Sequence, residues 1–254
     1  MEPTALVRSV PNSFSAALVM GERPRIDVGK ARVQHHRYQE VLETAGYTLR
    51  MVDADEDHPD CPFIEDVVVV LDSLAVVTRP GAPERRGETG PVAEMAESLL
   101  PIHRIQEPGT IDGGDVLRIG PMVFVGSSAR TNSEGISQIA KFAAEDGLTV
   151  VAVPVSGVLH LKSAVAALDD ETVLIDPDCV DVGQFARYRL LEKAQGEGHL
   201  ASVLRLRTGQ LAVTTAAPAT TQRLRRAGYE VIVVDSSEFQ AADGGLTCLS
   251  VLID

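Results

Sequence analysis

The strongest constraint on this chain is a unit of two short apolar runs, a helical stretch and a third apolar run that returns every 44 to 48 residues. Residues 66–80 are β-branched and aliphatic and break at Asp72-Ser73, as a strand pair with a turn does. Helix formers follow over 91–100, then a strand near Ile105. The order recurs as a hairpin over 115–127 turning at Gly120-Pro121, a helix over 133–145 and a strand over 148–155. A third pair spans 159–176, turns near Asp169-Asp170, and is followed by helix potential over 185–194. A fourth spans 202–215, turns at Thr208-Gly209-Gln210, and leads to a helix over 220–227 and a strand over 229–234. The fifth is split between the two ends: strands over 245–253 and 4–10, a helix over 29–45 and a strand over 47–52.

The first polar residues entering four of these hairpins, Asp66, Asp112, His160 and Cys248, lie 46, 48 and 88 residues apart, the last interval being two periods of 44. Periods of this length belong to rings and solenoids, in which each unit buries its apolar face against its neighbours. The chain is accordingly expected to be one α/β domain over 1–254, against the alternative of an ordinary α/β sheet with accidental spacing. If the units surround an axis, distant hairpin starts converge into one pocket lined by carboxylates, an imidazole and a thiol. Asp112-Gly113-Gly114 returns as Asp243-Gly244-Gly245, and paired glycines permit close backbone approach.

The balance of 36 acidic against 23 basic side chains gives a formal charge of −13, which repels phosphate backbones and anionic lipid, so neither nucleic acid nor membrane is an expected partner. Such a surface attracts a small cation, although the excess also serves solubility. No stretch reads as a signal peptide or a membrane span, and a cytoplasmic protein is expected. The three cysteines are widely spaced without a Cys-x-x-Cys, which argues against a disulfide framework or thiolate zinc site.

Taken singly, Cys248 in an apolar stretch reads as inert core, His160 as a satisfied core histidine, and Asp112 and Asp115 as parts of a turn. Glu65-Asp66 is harder to dismiss, because it abuts an apolar strand and unpaired burial of a carboxylate is costly. Together they supply a nucleophile, an acid/base and a cradle for a cation. The cluster 55–61, with His58 and Cys61, matches no metal motif. His35, His36, His103 and His199 are expected at the surface.

The stretches Asp60-Cys61-Pro62-Phe63-Ile64-Glu65-Asp66, Thr78-Arg79-Pro80-Gly81-Ala82-Pro83-Glu84-Arg85-Arg86, Asp112-Gly113-Gly114-Asp115, Ser128-Ala129-Arg130-Thr131-Asn132, Leu159-His160-Leu161-Lys162 and Asp243-Gly244-Gly245-Leu246-Thr247-Cys248 run through nearly the whole chain. In this order they resemble the dimethylarginine dimethylaminohydrolases. The resemblance implies a five-bladed α/β propeller and hydrolysis of Nω-methylated L-arginines to citrulline and a methylamine, with no cofactor or metal. It makes Cys248 the nucleophile, His160 the acid and base, and Asp66 and Asp112 the partners of the guanidinium, with Glu65 a secondary contact. Arg85 and Arg130 would grip the substrate α-carboxylate, Asp60 the α-ammonium, and Leu18, Ala242 and Asp243 would complete the pocket. Residues 11–24 fit a lid or an ordinary loop equally well. Asp112 stands where some relatives carry Glu, and Ala242 where bulkier residues are common. Deimination of free arginine on the same scaffold is the alternative activity, and a binding protein that has lost the chemistry a more distant one. The oligomeric state is left open.

Overall fold

The computed structural model describes residues 2–22, 24–198 and 203–254. Arg23 within the expected lid, His199 among the expected surface histidines and Ser202 at the start of the fourth hairpin lie outside them.

Among the described residues, fifteen strands form five three-stranded sheets of one pattern, an inner strand antiparallel to a middle strand that is parallel to an outer one. In the first, β3 (Val68–Val70) pairs with β4 (Ala75–Val77), and β4 with β5 (Ile102–Arg104) after helix α2 (Thr89–Glu97). In the second, β6 (Val116–Ile119) and β7 (Met122–Ser127) are followed by α3 (Ser133–Glu145) and β8 (Thr149–Pro154). The third joins β9 (Val165–Ala167), β10 (Thr172–Ile175) and β11 (Arg189–Glu192). The fourth joins β12 (Val203–Arg205), β13 (Leu211–Thr214), α4 (Pro218–Arg226) and β14 (Val231–Val234). The fifth closes the ring: β15 (Val251–Ile253) runs antiparallel to β1 (Thr4–Arg8), which lies parallel to β2 (Thr48–Val52) after α1 (Val28–Thr44). A parallel third strand needs a crossover, and a helix is that crossover in four of the blades, while the third blade uses a 3-10 turn at Val182–Phe185. The fold is a five-bladed α/β propeller.

The core is divided among the seams between blades. Leu6 and Val52 of the last blade pack with Val68, Val77, Val251 and Ile253, while Leu117 and Phe124 of the second pack with Val165, Val173 and Phe185 of the third. Each apolar strand therefore has a different neighbour on each face, and none of the blades is covered on its own.

Two expectations need correction. The stretch 185–194 is not a helix: a 3-10 turn at Val182–Phe185 leads into β11. The reason lies in adjacent leucines, since Leu190 packs into the seam with Phe124 and Phe185 while Leu191 packs into the next, with Leu174 and Leu224. Neighbours on opposite faces follow a period of two. His35 is buried, not at the surface, because α1 turns Ala31, Gln34, His35, Tyr38 and Leu42 inward. The short helix α5 (Ser237–Gln240) docks there, supplying Ser237 Oγ and the Glu238 N–H as partners for Gln34, and Phe239 against the His35 ring. Polar residues on the inward stripe hid it from hydropathy. His36 is exposed, and His103 stacks on Phe142 with ring centroids 4.4 Å apart.

Candidate active site

Four of the five inner strands are entered through a 3-10 turn, and all four of these turns carry or adjoin a chemically competent side chain. Ile64–Asp66 leads into β3, Gly113–Asp115 into β6 and Leu161–Ser163 into β9, with His160 capping the last, while Thr247–Leu249 carries Cys248 towards β15. The glycines allow the turns to meet. A methyl group on Gly113 would fall 2.0 Å from the Glu65 carbonyl oxygen, and one on Gly114 would fall 2.6 Å from His160 Nδ1 and 2.8 Å from Asp66 Oδ1.

Asp66 Oδ2 accepts from Arg85 Nη1 at 2.6 Å and Oδ1 from the Gly114 N–H at 2.9 Å. Burial opposes its charge, yet His160 and Arg85 overcome that opposition and bring its carboxyl down to about 2. His160 Nε2 lies 3.0 Å from Asp112 Oδ2, and Nδ1 lies 3.9 Å from Asp66 Oδ1. Burial disfavours the imidazolium, but Asp66, Asp112 and Asp115 outweigh it and raise the ring to about 9. His160 is therefore a charged proton donor at neutral pH. Cys248 is the opposite case: burial first, then the negative charges of Glu65 and Asp66, push its thiol up to about 12. Its Sγ accepts from the Gly245 N–H at 3.3 Å.

Two cavities meet at this pair. The smaller, of about 20 Å³, is lined by Leu18, Asp60, Phe63, Asp66, Arg85, Arg130 and Ala242 on its own side. The larger, of about 540 Å³, has Glu65, Lys162, Gly157 and Ala216 among its lining residues. Leu159, His160, Asp243, Gly244 and Cys248 line both. Beside the Asp66 carboxylate, the smaller carries the Asp60 carboxylate and two guanidiniums, Arg85 and Arg130, groups that suit a zwitterionic amino-acid end. Asp60 accepts the Leu18 N–H with both oxygens at 3.1 Å, and Asp243 accepts the Met20 N–H, so the segment after Pro11 is fastened over this cavity by two carboxylates. Burial raises the Asp60 carboxyl, against the pull of Arg85. Asp243 holds a left-handed φ of +57°, a strained state for a residue other than glycine.

Every expected residue thus lies at or beside this site, with two differences in how it is used. Asp112 is fully buried, and its carboxylate serves the Gly81 N–H and the imidazole, so its direct reach is to His160. Arg85 is largely engaged with Asp66, with Glu88 at 2.8 Å and with the Phe63 carbonyl, leaving Arg130 as the less committed guanidinium.

Three supporting residues complete the site: Lys162 and Glu88, to which the sequence reading gave no role, and Asp115, which it weighed as part of a turn. Lys162 pairs with Glu65 at 2.6 Å, and the pair stands between the larger cavity and a second one enclosed by the inner strands along the axis. Glu88 holds Arg85, a spacing of three residues that could have signalled it. Asp115 accepts from Ser128, Thr131 and the Leu161 N–H, tying the second blade to the His160 turn. Its place three residues after Asp112 was the available signal. Asp66, Asp112 and His160 also form the one group among the described residues whose possible metal-ligand atoms lie within 4.8 Å of one another. A metal there would have to displace the proton that the two carboxylates hold on His160.

Residues 98–205 match the arginine deiminase family. The whole chain is similar to the N(G),N(G)-dimethylarginine dimethylaminohydrolase of Streptomyces coelicolor, 42% identical over 97% of this chain and 95% of that protein. The enzyme of the same name from Pseudomonas aeruginosa is 33% identical over 97% of each. A solved structure of the Pseudomonas aeruginosa enzyme, a cysteine-to-serine mutant complexed with citrulline, superposes with a TM-score of 0.94 at 31% identity and full coverage of both chains. A histidine-to-glycine adduct of a dimethylarginine dimethylaminohydrolase with S-methyl-L-thiocitrulline does so with a TM-score of 0.94 at 32% identity, again over both whole chains.

Proposed function

The chain belongs to the dimethylarginine dimethylaminohydrolases, hydrolases of guanidino carbon–nitrogen bonds, and from that premise we propose that it converts Nω-methylated L-arginines to L-citrulline and methylamines through a thiouronium on Cys248. The observation that carries this reading is that Cys248, His160 and Asp66 line one cavity together with Asp60, Arg85 and Arg130.

A guanidinium carbon is stabilised by resonance, and its attack needs a thiolate. The resting thiol is held protonated by burial and by the negative charges of Glu65 and Asp66, and a bound guanidinium supplies the missing counter-charge beside it. Substrate binding therefore drives the thiol proton out to solvent, and the thiolate forms only when there is something to attack. Asp66, which faces the small cavity and is ionised at any physiological pH, accepts from the guanidinium. Asp112 and Asp115 hold His160 in charge and in place.

The sulfur then bonds to the guanidino carbon, and His160 gives its proton to the substituted nitrogen as the carbon–nitrogen bond breaks, releasing the amine. His160, now neutral, takes a proton from water, and the hydroxide adds to the same carbon. The carbon–sulfur bond breaks, leaving citrulline and a thiolate that regains a proton. Arg130, supported by Arg85, takes the α-carboxylate and Asp60 the α-ammonium. That ammonium competes with the Leu18 N–H for Asp60, so binding must lift the segment after Pro11. The adduct of the relative with a thiocitrulline supports covalent chemistry on this scaffold.

The test is purified protein with asymmetric dimethyl-L-arginine and no added metal or nucleotide. Citrulline and dimethylamine should appear in equal amounts. Turnover of free arginine without turnover of dimethylarginine would assign the site to deimination instead.

A further inference from the structure

Resting on this reading, we propose that the larger cavity behind Cys248 and His160 is a site for the Nω-substituent, and that the enzyme hydrolyses arginines carrying N-alkyl groups well beyond methyl. The two cavities have Leu159, His160, Asp243, Gly244 and Cys248 in common, so the nucleophile and the proton donor line both. The amino-acid end of the substrate is fixed on the side of Asp60 and Arg130, where the free room is about 20 Å³. The nitrogen that leaves must face His160, so any group on it is directed to the other side.

There the space is about 540 Å³, whereas a methyl group is close to a water in size, ~30 Å³, so two methyls leave most of it empty. The lining is also suited to hydrocarbon. Besides His160 and Cys248 its ionisable side chains are Glu65 and Lys162, which neutralise each other, and Asp243, which accepts the Met20 N–H. The rest includes Gly157, Val158, Ser163, Gly198, Ala216 and Gln240, small groups that leave the volume open.

The chemistry is unchanged by a longer group. With Nω-propyl-L-arginine the sulfur bonds to the guanidino carbon, His160 protonates the propylamine nitrogen as its bond to that carbon breaks, and water releases citrulline. A pocket cut to methyl size would discriminate steeply, since one methylene too many in a tight apolar pocket costs on the order of 10–200-fold in kcat/KM. The expected result is citrulline and propylamine with kcat/KM within about tenfold of the monomethyl substrate.

Ala216 is exposed and takes no part in the machinery above, so a larger residue there should fold. Ala216→Phe should reduce propyl-arginine kcat/KM by about tenfold or more while leaving dimethylarginine within about twofold. Turnover of dimethylarginine with propyl-arginine below about a hundredth of its rate would overturn the proposal and leave the hydrolase reading intact. Equal losses on both substrates in Ala216→Phe would overturn it as well. Turnover of neither substrate by the unaltered protein would overturn the underlying reading and this proposal with it.

Discussion

At the scale of single residues, the site depends on which groups hold protons at rest. His160 must be charged to act as acid, so kcat/KM for dimethylarginine should fall as pH rises through about 9, where the ring loses its proton. The same proton contributes to stability, because a group whose folded value is raised above the unfolded one stabilises the fold fully below the ordinary histidine value and loses that contribution through about 9. Cys248→Ser should abolish turnover, and His160→Gln should block it while leaving an adduct detectable by mass. A wild-type rate in either variant would remove that residue from its role. Gly114→Ala places a methyl between His160 and Asp66, and should lower kcat by at least an order of magnitude while circular dichroism stays native. The nucleophile and acid were legible because they recur at matched phases of the repeat and because their motifs resemble a known set. Lys162 was not, since its partner Glu65 comes from another blade; Asp115 was read as part of a turn, and Glu88 went unread although Arg85 lies three residues away. Arg85 shows the limit most clearly: its motif marked it as important, but its engagement with Asp66, 19 residues away, is seen only in the fold.

Among the elements, strand pairs announced themselves by apolar runs with polar turns, and the expected bounds of α3 agree with the structure. Blade three failed where two leucines sit side by side, a pattern that fits either a helix or a strand buried on both faces. Helix α1 shows a different failure. Its inward stripe includes Gln34 and His35, whose burial is explained only by α5 packing on it. Burial, with some repulsion from His36, lowers the His35 ring to about 4. Between that value and the ordinary 6.5 the unfolded chain binds the proton better, so stability should decline as pH falls through this window. His35→Leu should flatten the acid limb by up to about 3 kcal/mol, measured by urea denaturation at pH 7 and pH 4.5. An unchanged acid limb would show that other groups set it.

For the molecule as a whole, the ring was readable before the structure because five copies of one pattern are hard to produce by chance, and because the fifth copy needs both ends of the chain. Its closure is made by β15 beside β1, with Val251 and Ile253 buried against β3 and β4. Each of those side chains contributes about 1.5–3 kcal/mol on burial, against a total of about 5–15 kcal/mol for a domain. Deleting 251–254 should therefore abolish cooperative thermal unfolding rather than shift its midpoint slightly. A retained sharp transition would mean that the seam is held elsewhere. Pairing Thr4 with Ile253 has one more outcome. Where head and tail run side by side, a short peptide can join them and a new pair of ends can be cut at the Gly120-Pro121 hairpin tip. Such a circular permutant should rebuild the same rotor and keep its catalysis, since nothing in a closed wheel marks where the thread began.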